Sequence, residues 1–253
     1  MMSDIGLKSR RIGFRLVRTT SLRRKEQPMP HRVIDLSQPL SRESQLHPFF
    51  PPTQILRHIQ HTDAAEGRPS FSAEIIITSN HAATHVDAFG HYQKGGAAIA
   101  EMPLDTFCGD ALCVDIRQYE RGHDVTAAEV EQAVAESGQE LKGGDILLFC
   151  SDHYNRTAGT PAFLDGFAGI SAEAVHWMAD RGVKIFGVET ISPDLVYLTD
   201  DYPTHRACAE RGITHFENLN NLKDVVNQRF FFVGFPLRLE VAYGSPVRAA
   251  AIL

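Results

Sequence analysis

The sequence predicts one α/β domain built on a mixed, strongly curved or barrel-like sheet with flanking helices. Three observations carry that expectation. The chain has 253 residues, enough to bury one full core. Segments of strand character outnumber helical ones, with two or three helices separating some of them. The polar clusters fall in the loops at the ends of those strands.

Taken in order, Val33 to Ser37 reads as a first short strand, with the folded part starting at His31 or Arg32. Pro39, Pro51 and Pro52 then punctuate a long irregular stretch. Loops of that length tend to be lids or binding walls, so Phe49 within it is a candidate substrate contact, against packing into the core. Phe71 to Thr78 is apolar and β-branched, as a strand should be, and Ala111 to Ile116 is another. Thr126 followed by Glu129 makes a capping box for a helix through about Ser137, with Val130, Ala133 and Val134 on its buried face. Asp145 to Cys150 is a nearly continuous apolar run, the mark of a central strand, and ends in the polar turn Ser151 to Tyr154. Ser171 caps a second helix that Gly182 stops, and Val183 to Val188 returns as strand. A short helix from Pro203 to Glu210 ends at Gly212, with Ile213 to Phe216 extended after it. Arg229 to Phe235, Leu237 to Val241 and Pro246 to Ile252 read as the last strands.

Charge and motifs exclude several classes. Residues 1–32 hold nine Lys or Arg against two acidic residues, so this segment carries +7 and the remainder −13 to reach −6. An acidic main body disfavours wrapping a polyanion, so no nucleic-acid partner is expected. The leader, residues 1–31, reads as a flexible or partner-covering arm, with a targeting peptide or a nucleic-acid tail as alternatives. No run of eighteen apolar residues suggests a membrane span. The four cysteines lack C-x-x-C spacing, which fits reduced thiols in a cytoplasmic protein. G-x-G-x-x-G, the P-loop, H-E-x-x-H and G-x-S-x-G are missing, so nothing implies a dinucleotide, a nucleoside triphosphate or an acyl-serine hydrolase.

The chemistry concentrates in residues 81–92, where His81, His85, Asp87 and His91 stand at i, i+4, i+6 and i+10. A helix would bring His81 and His85 together but turn Asp87 roughly 200° away from His85. An extended chain places all four on one side, because every separation is even. Imidazoles and a carboxylate converging in this way suit Zn²⁺ or Mn²⁺. A chance polar loop is the alternative. His91, farthest along the loop, is the natural proton carrier.

The pattern H-x-x-x-H-x-D-x-x-x-H after a strand resembles the signature of the metal-dependent cyclase-like hydrolases, a group that includes bacterial kynurenine formamidase and isatin hydrolase. The resemblance spans residues 32–253 through Asp145 to Tyr154, Gly187 to Asp194, Glu217 to Leu222 and Gly244 to Ala249. It implies a swivelling β/β/α-like fold, with His81, His85 and Asp87 as primary metal ligands and His91 as proton shuttle. It also implies one or two ions per chain, since His205 and Glu217 match the further pair used by members with two zinc ions. Phe89 and His153 stand where relatives carry a proline and a tryptophan-containing turn, and are expected to shape the substrate pocket. His215 is expected to be a bystander or pocket wall. The implied activity is hydrolysis of a small aromatic formamide or cyclic amide by a metal-activated water, in a homodimer or higher homo-oligomer. A biosynthetic cyclase or dehydratase stabilising an enolate, or a non-catalytic metal-binding protein, are the alternatives.

Overall fold

A sheet of nine strands dominates the computed structural model, which describes residues 32–61, 70–198 and 200–253. The basic leader, residues 1–31, lies outside the described residues. The strand order is β1 (Val33–Asp35), β13 (Ala250–Ile252), β11 (Arg229–Val233), β5 (Cys108–Asp115), β7 (Ile146–Cys150), β9 (Ile185–Val188), β10 (Thr214–Glu217), β4 (His85–Asp87) and β12 (Gly244–Pro246). The four strands from β5 to β10 run parallel, and the other pairs are antiparallel. Ser37, past β1, bridges Leu219, past β10, while Pro236, past β11, bridges Val247, past β12. The sheet is therefore curled, as expected, and it is mixed.

The apolar run of β7 explains how the layers stack. All five of its residues are buried because both faces are covered. Ile146, Leu148 and Cys150 point into a core inside the curl, shared with Val86, Phe216, Phe230 and Phe232. Leu147 and Phe149 point the other way, against the helices α1 (Ala127–Glu136), α4 (Ala172–Asp180) and α5 (Pro203–Arg211). Truncating fully buried Leu147 to Ala would cost about 2–5 kcal/mol.

The helix ends are where their caps place them. Thr126 accepts the amide of Glu129 at 3.3 Å, and Glu129 accepts the amide of Thr126 at 2.8 Å. Ser171 accepts Ala174 N–H at 3.2 Å, and Gly212 closes α5 at φ +63°.

Four details differ from the sequence expectation. Residues 54–59 form a strand, β2 (Gln54–Ile59), paired with β3 (Ala73–Ile77); Arg57 and His58 hide its apolar alternation. This pair stands apart from the main sheet, and leaves Ile75, Ile76 and Ile77 exposed. Residues 237–241 are not a strand: Pro236 lacks an amide for the ladder, and Val241 turns at φ +57°. Two short helices, α2 (His153–Thr157) and α3 (Ala162–Asp165), follow β7 where only a polar turn was expected.

Candidate metal centre

The extended-chain argument for residues 81–91 holds only for β4. Within it His85 and Asp87 share a face, but Ala83 adopts φ +51° and His91 sits in a 3₁₀ turn, Phe89–His91. Two bends, rather than one strand, bring the four side chains to a common point. The left-handed Ala83 gives no sequence signal, since glycine or asparagine usually marks such a position.

Strand β10 completes the cluster from the other side. Its register sets Glu217 opposite His85 and Phe216 opposite Val86, so the next step brings His215 beside Asp87. His215 and Glu217 are two apart on one strand and face the same way. His205 enters from the first turn of α5.

The carboxylate of Asp87 is the hub. Its Oδ1 lies 2.8 Å from His81 Nδ1 and 3.5 Å from His85 Nε2. Its Oδ2 lies 3.7 Å from His91 Nε2, 3.7 Å from His205 Nε2 and 3.6 Å from His215 Nε2. Glu217 adds Oε2 at 3.3 Å from His85 Nε2 and Oε1 at 3.1 Å from His215 Nε2. Two sets have the spacing to hold a cation: Asp87, His205, His215 and Glu217, and His81, Asp87 and His91. Of the expected ligands, His81, Asp87, His205 and Glu217 fall in these sets; His85 falls in neither, although its Nε2 faces Asp87 and Glu217, and His91, expected as the proton carrier, falls in the second. His215, expected to be a bystander, joins them; the parity of His215 and Glu217 was the signal that pointed to it.

The donor set fits a divalent cation. His85 Nδ1 donates to the carbonyl of Ala83 at 2.8 Å, which leaves Nε2 with its lone pair turned toward two carboxylates. That Nε2 and both oxygens of Asp87 are buried without a hydrogen-bond partner among the described residues, although His81 is near enough to Asp87 for one. Burial works against charge on His85 and His205, yet the neighbouring carboxylates push both up to about 10. Burial also opposes charge on Asp87, but its imidazole neighbours hold it well below the ordinary carboxylate range. The carboxylates therefore demand positive charge, which protons or a metal ion can meet. Asp194 orients His205, accepting from its Nδ1 at 2.5 Å and from Thr204 N–H at 2.7 Å. His91 differs: burial lowers it to about 4, leaving a neutral imidazole whose side chain is 33% exposed.

Above the cluster opens a cavity of about 420 Å³, walled by Phe49, Phe50, Tyr92, Tyr202 and Ile191. Phe49 lies at its edge, as expected, and Phe50 stacks on His81 with ring centroids 5.4 Å apart. Phe89 does not line it, because it packs against the core inside the curl. His153 is also absent from the walls: it is fully buried, and its Nε2 pairs with the carbonyl of Phe163 at 2.9 Å. The left-handed Asp152, φ +53°, turns the chain into α2 and carries that imidazole into the protein.

The family model Cyclase matches residues 34–195. The chain is 29% identical over 218 residues to the kynurenine formamidase of Bordetella pertussis, covering 86% of this chain and 96% of that one. It is 28% identical over 184 residues to the kynurenine formamidase of Salinibacter ruber, covering 73% and 81%. Among solved structures, isatin hydrolase A from Ralstonia solanacearum superposes with a TM-score of 0.75 at 27% identity, covering 88% of this chain and 92% of that one. Isatin hydrolase A from Labrenzia aggregata, bound to benzyl benzoate, shares the fold with a TM-score of 0.75 at 20% identity, covering 88% and 94%.

Proposed function

The chain belongs to the Cyclase family, and on that premise we propose that it is a metal-dependent hydrolase cleaving the C–N bond of a small aromatic formamide or cyclic amide. One observation carries the reading: a buried cluster of imidazoles and carboxylates, with lone pairs that nothing in the described protein satisfies, forms the floor of an aromatic cavity. His81, His85, Asp87, His205 and Glu217 would hold one or two Zn²⁺ or Mn²⁺ ions, with His215 a further donor beside His205 and Glu217. A divalent cation held there supplies acidification of water and polarisation of a carbonyl.

The remaining work falls to this chain's own side chains. His91 is neutral at neutral pH and reaches the cavity, so it accepts a proton at Nε2 and returns it to the leaving nitrogen. Asp194 holds His205 so that Nε2, not Nδ1, faces the cluster. Phe50 and Phe49 offer ring faces to an aryl group. The kynurenine formamidases and isatin hydrolases among the relatives direct the substrate reading to N-formylkynurenine-like and isatin-like amides. The exposed apolar row Ile75 to Ile77 supports a homo-oligomer, and four free cysteines support a cytoplasmic setting. Among the described residues, no helix is long and apolar enough to cross a membrane.

The test is to strip the protein of metal and to assay N-formylkynurenine and isatin side by side with Zn²⁺ or Mn²⁺ restored, counting ions by elemental analysis. Metal-dependent turnover of either amide is expected. Activity that survives metal removal would defeat the reading.

A further inference from the structure

From the wall of the cavity we infer that His47 is a specificity-determining residue, which selects aryl amides bearing a second carbonyl beside the amide nitrogen. This deepens the amidase reading above and rests on it. His47 comes from the Pro-rich stretch before β2, is half-buried, and lines the cavity. Its ring meets Phe49 edge-on at 4.5 Å and Phe50 at 6.1 Å, and Phe50 in turn lies flat against His81. Phe50 therefore touches both His47 and His81, a member of the cluster.

The hydrogen bonds around His47 set its tautomer. Its Nδ1 accepts the amide N–H of Phe49 at 3.4 Å, so the ring proton resides on Nε2. No other described residue takes that proton, and Nε2–H is free to donate into the cavity. Burial lowers the affinity of the ring for a second proton, with Glu217 opposing and His205 reinforcing. His47 thus acts as an uncharged donor beside the rings of Phe49 and Phe50.

Two other donors around the cavity are committed elsewhere, while Tyr202 and Ser192 share the wall with His47. The hydroxyl of Tyr92 donates to the carbonyl of Ile213 at 2.9 Å, and the guanidinium of Arg206 pairs with Asp201. A flat substrate with its amide over the cluster and its ring along Phe50 brings an ortho substituent toward His47. A carbonyl there finds a donor, whereas a hydrogen there leaves Nε2–H without a partner and loses affinity.

The experiment uses two pairs of amides that differ by that carbonyl: formanilide against 2′-formamidoacetophenone, and oxindole against isatin. The ratio of kcat/KM within each pair is measured for the metal-loaded wild type, His47→Ala and His47→Gln. Comparing ratios across variants cancels the intrinsic reactivity of each amide and the fraction of active protein. In His47→Ala the preference for the carbonyl-bearing member should fall roughly three- to tenfold, through KM, and His47→Gln, which keeps an N–H donor, should recover most of it. Equal losses on both members of a pair, or an unchanged ratio, would overturn the assignment while the amidase reading stands. If the wild type hydrolyses none of the four amides, the amidase reading falls and this assignment falls with it.

Discussion

Gly244 offers a way to disturb one proposed metal ligand, His81, without touching it. A Cβ built at this position would lie 2.7 Å from Cε1 of His81 and 3.1 Å from both ring nitrogens. Ordinary contact begins near 3.4 Å, so the His81 ring of Gly244→Ala must retreat by about 0.7 Å. Metal–ligand distances tolerate only about 0.2 Å, so a displacement of this size takes His81 out of register with Asp87. Gly244 has a negative φ, and β12 pairs with β4 through its backbone, so alanine is not excluded by conformation. The expected outcome is a 10- to 100-fold weaker affinity for the ion bound by His81, about 1.4–2.7 kcal/mol, with the set around His205 retaining its own. Competition against a chelator of known affinity measures this, alongside a thermal melt of the metal-free protein. Wild-type affinity for the ion at His81 would refute the close approach of His81 as the reason for glycine. An equal loss at both sites would refute the separation of the two ligand sets.

Three further outcomes are expected. Asp194→Asn removes the charged acceptor behind His205 Nδ1, so the ion held by His205 and Glu217 should weaken about 10-fold or more, while the other is kept in the same chelator titration. His91→Ala should lose turnover by roughly 10²–10⁴-fold while elemental analysis still counts the ion of the Asp87, His205, His215 and Glu217 set; a normal kcat would remove His91 from proton transfer. Glu189 tests the pH dependence of stability. Burial raises it to about 7 from an ordinary 4.5, against the backbone N–H groups of Leu222, Asp152 and Ser151. The folded state then binds the proton more tightly than the unfolded chain. The stability it contributes is complete below about 4.5 and is lost as pH rises through about 7, roughly 3 kcal/mol over that window. Denaturant titrations of Glu189→Gln from pH 4.5 to 8 should show a flatter slope than wild type, whatever constant offset the amide introduces; identical slopes would contradict it.

Much of this architecture is legible in the sequence where local physics decides. The box of Thr126 with Glu129, the cap at Ser171, the stop at Gly212 and the apolar run of Ile146 to Cys150 each state their own conformation. The metal set is readable in part, since even spacing on β4 puts His85 and Asp87 on one face. The same rule applied to His215 and Glu217 would have found the further candidate donor that was set aside. What escapes is fixed by tertiary position. Ala83 turns left-handed without a residue type that advertises it, and His153 points inward because Asp152 reverses the chain. Phe89 and Phe50 are equally apolar, yet only the fold sends one to the core and the other onto His81.

The strand that carries His85 and Asp87 has both of its partners far downstream, one ending at Glu217 and the other beginning at Gly244. A nascent chain leaving the ribosome exposes these side chains long before either neighbour has been made. The half of the cluster that His205, His215 and Glu217 complete is thus a late product of folding, set by contacts of high sequence separation whose closure is slow. An ion held by that half would lock a sheet that is already complete.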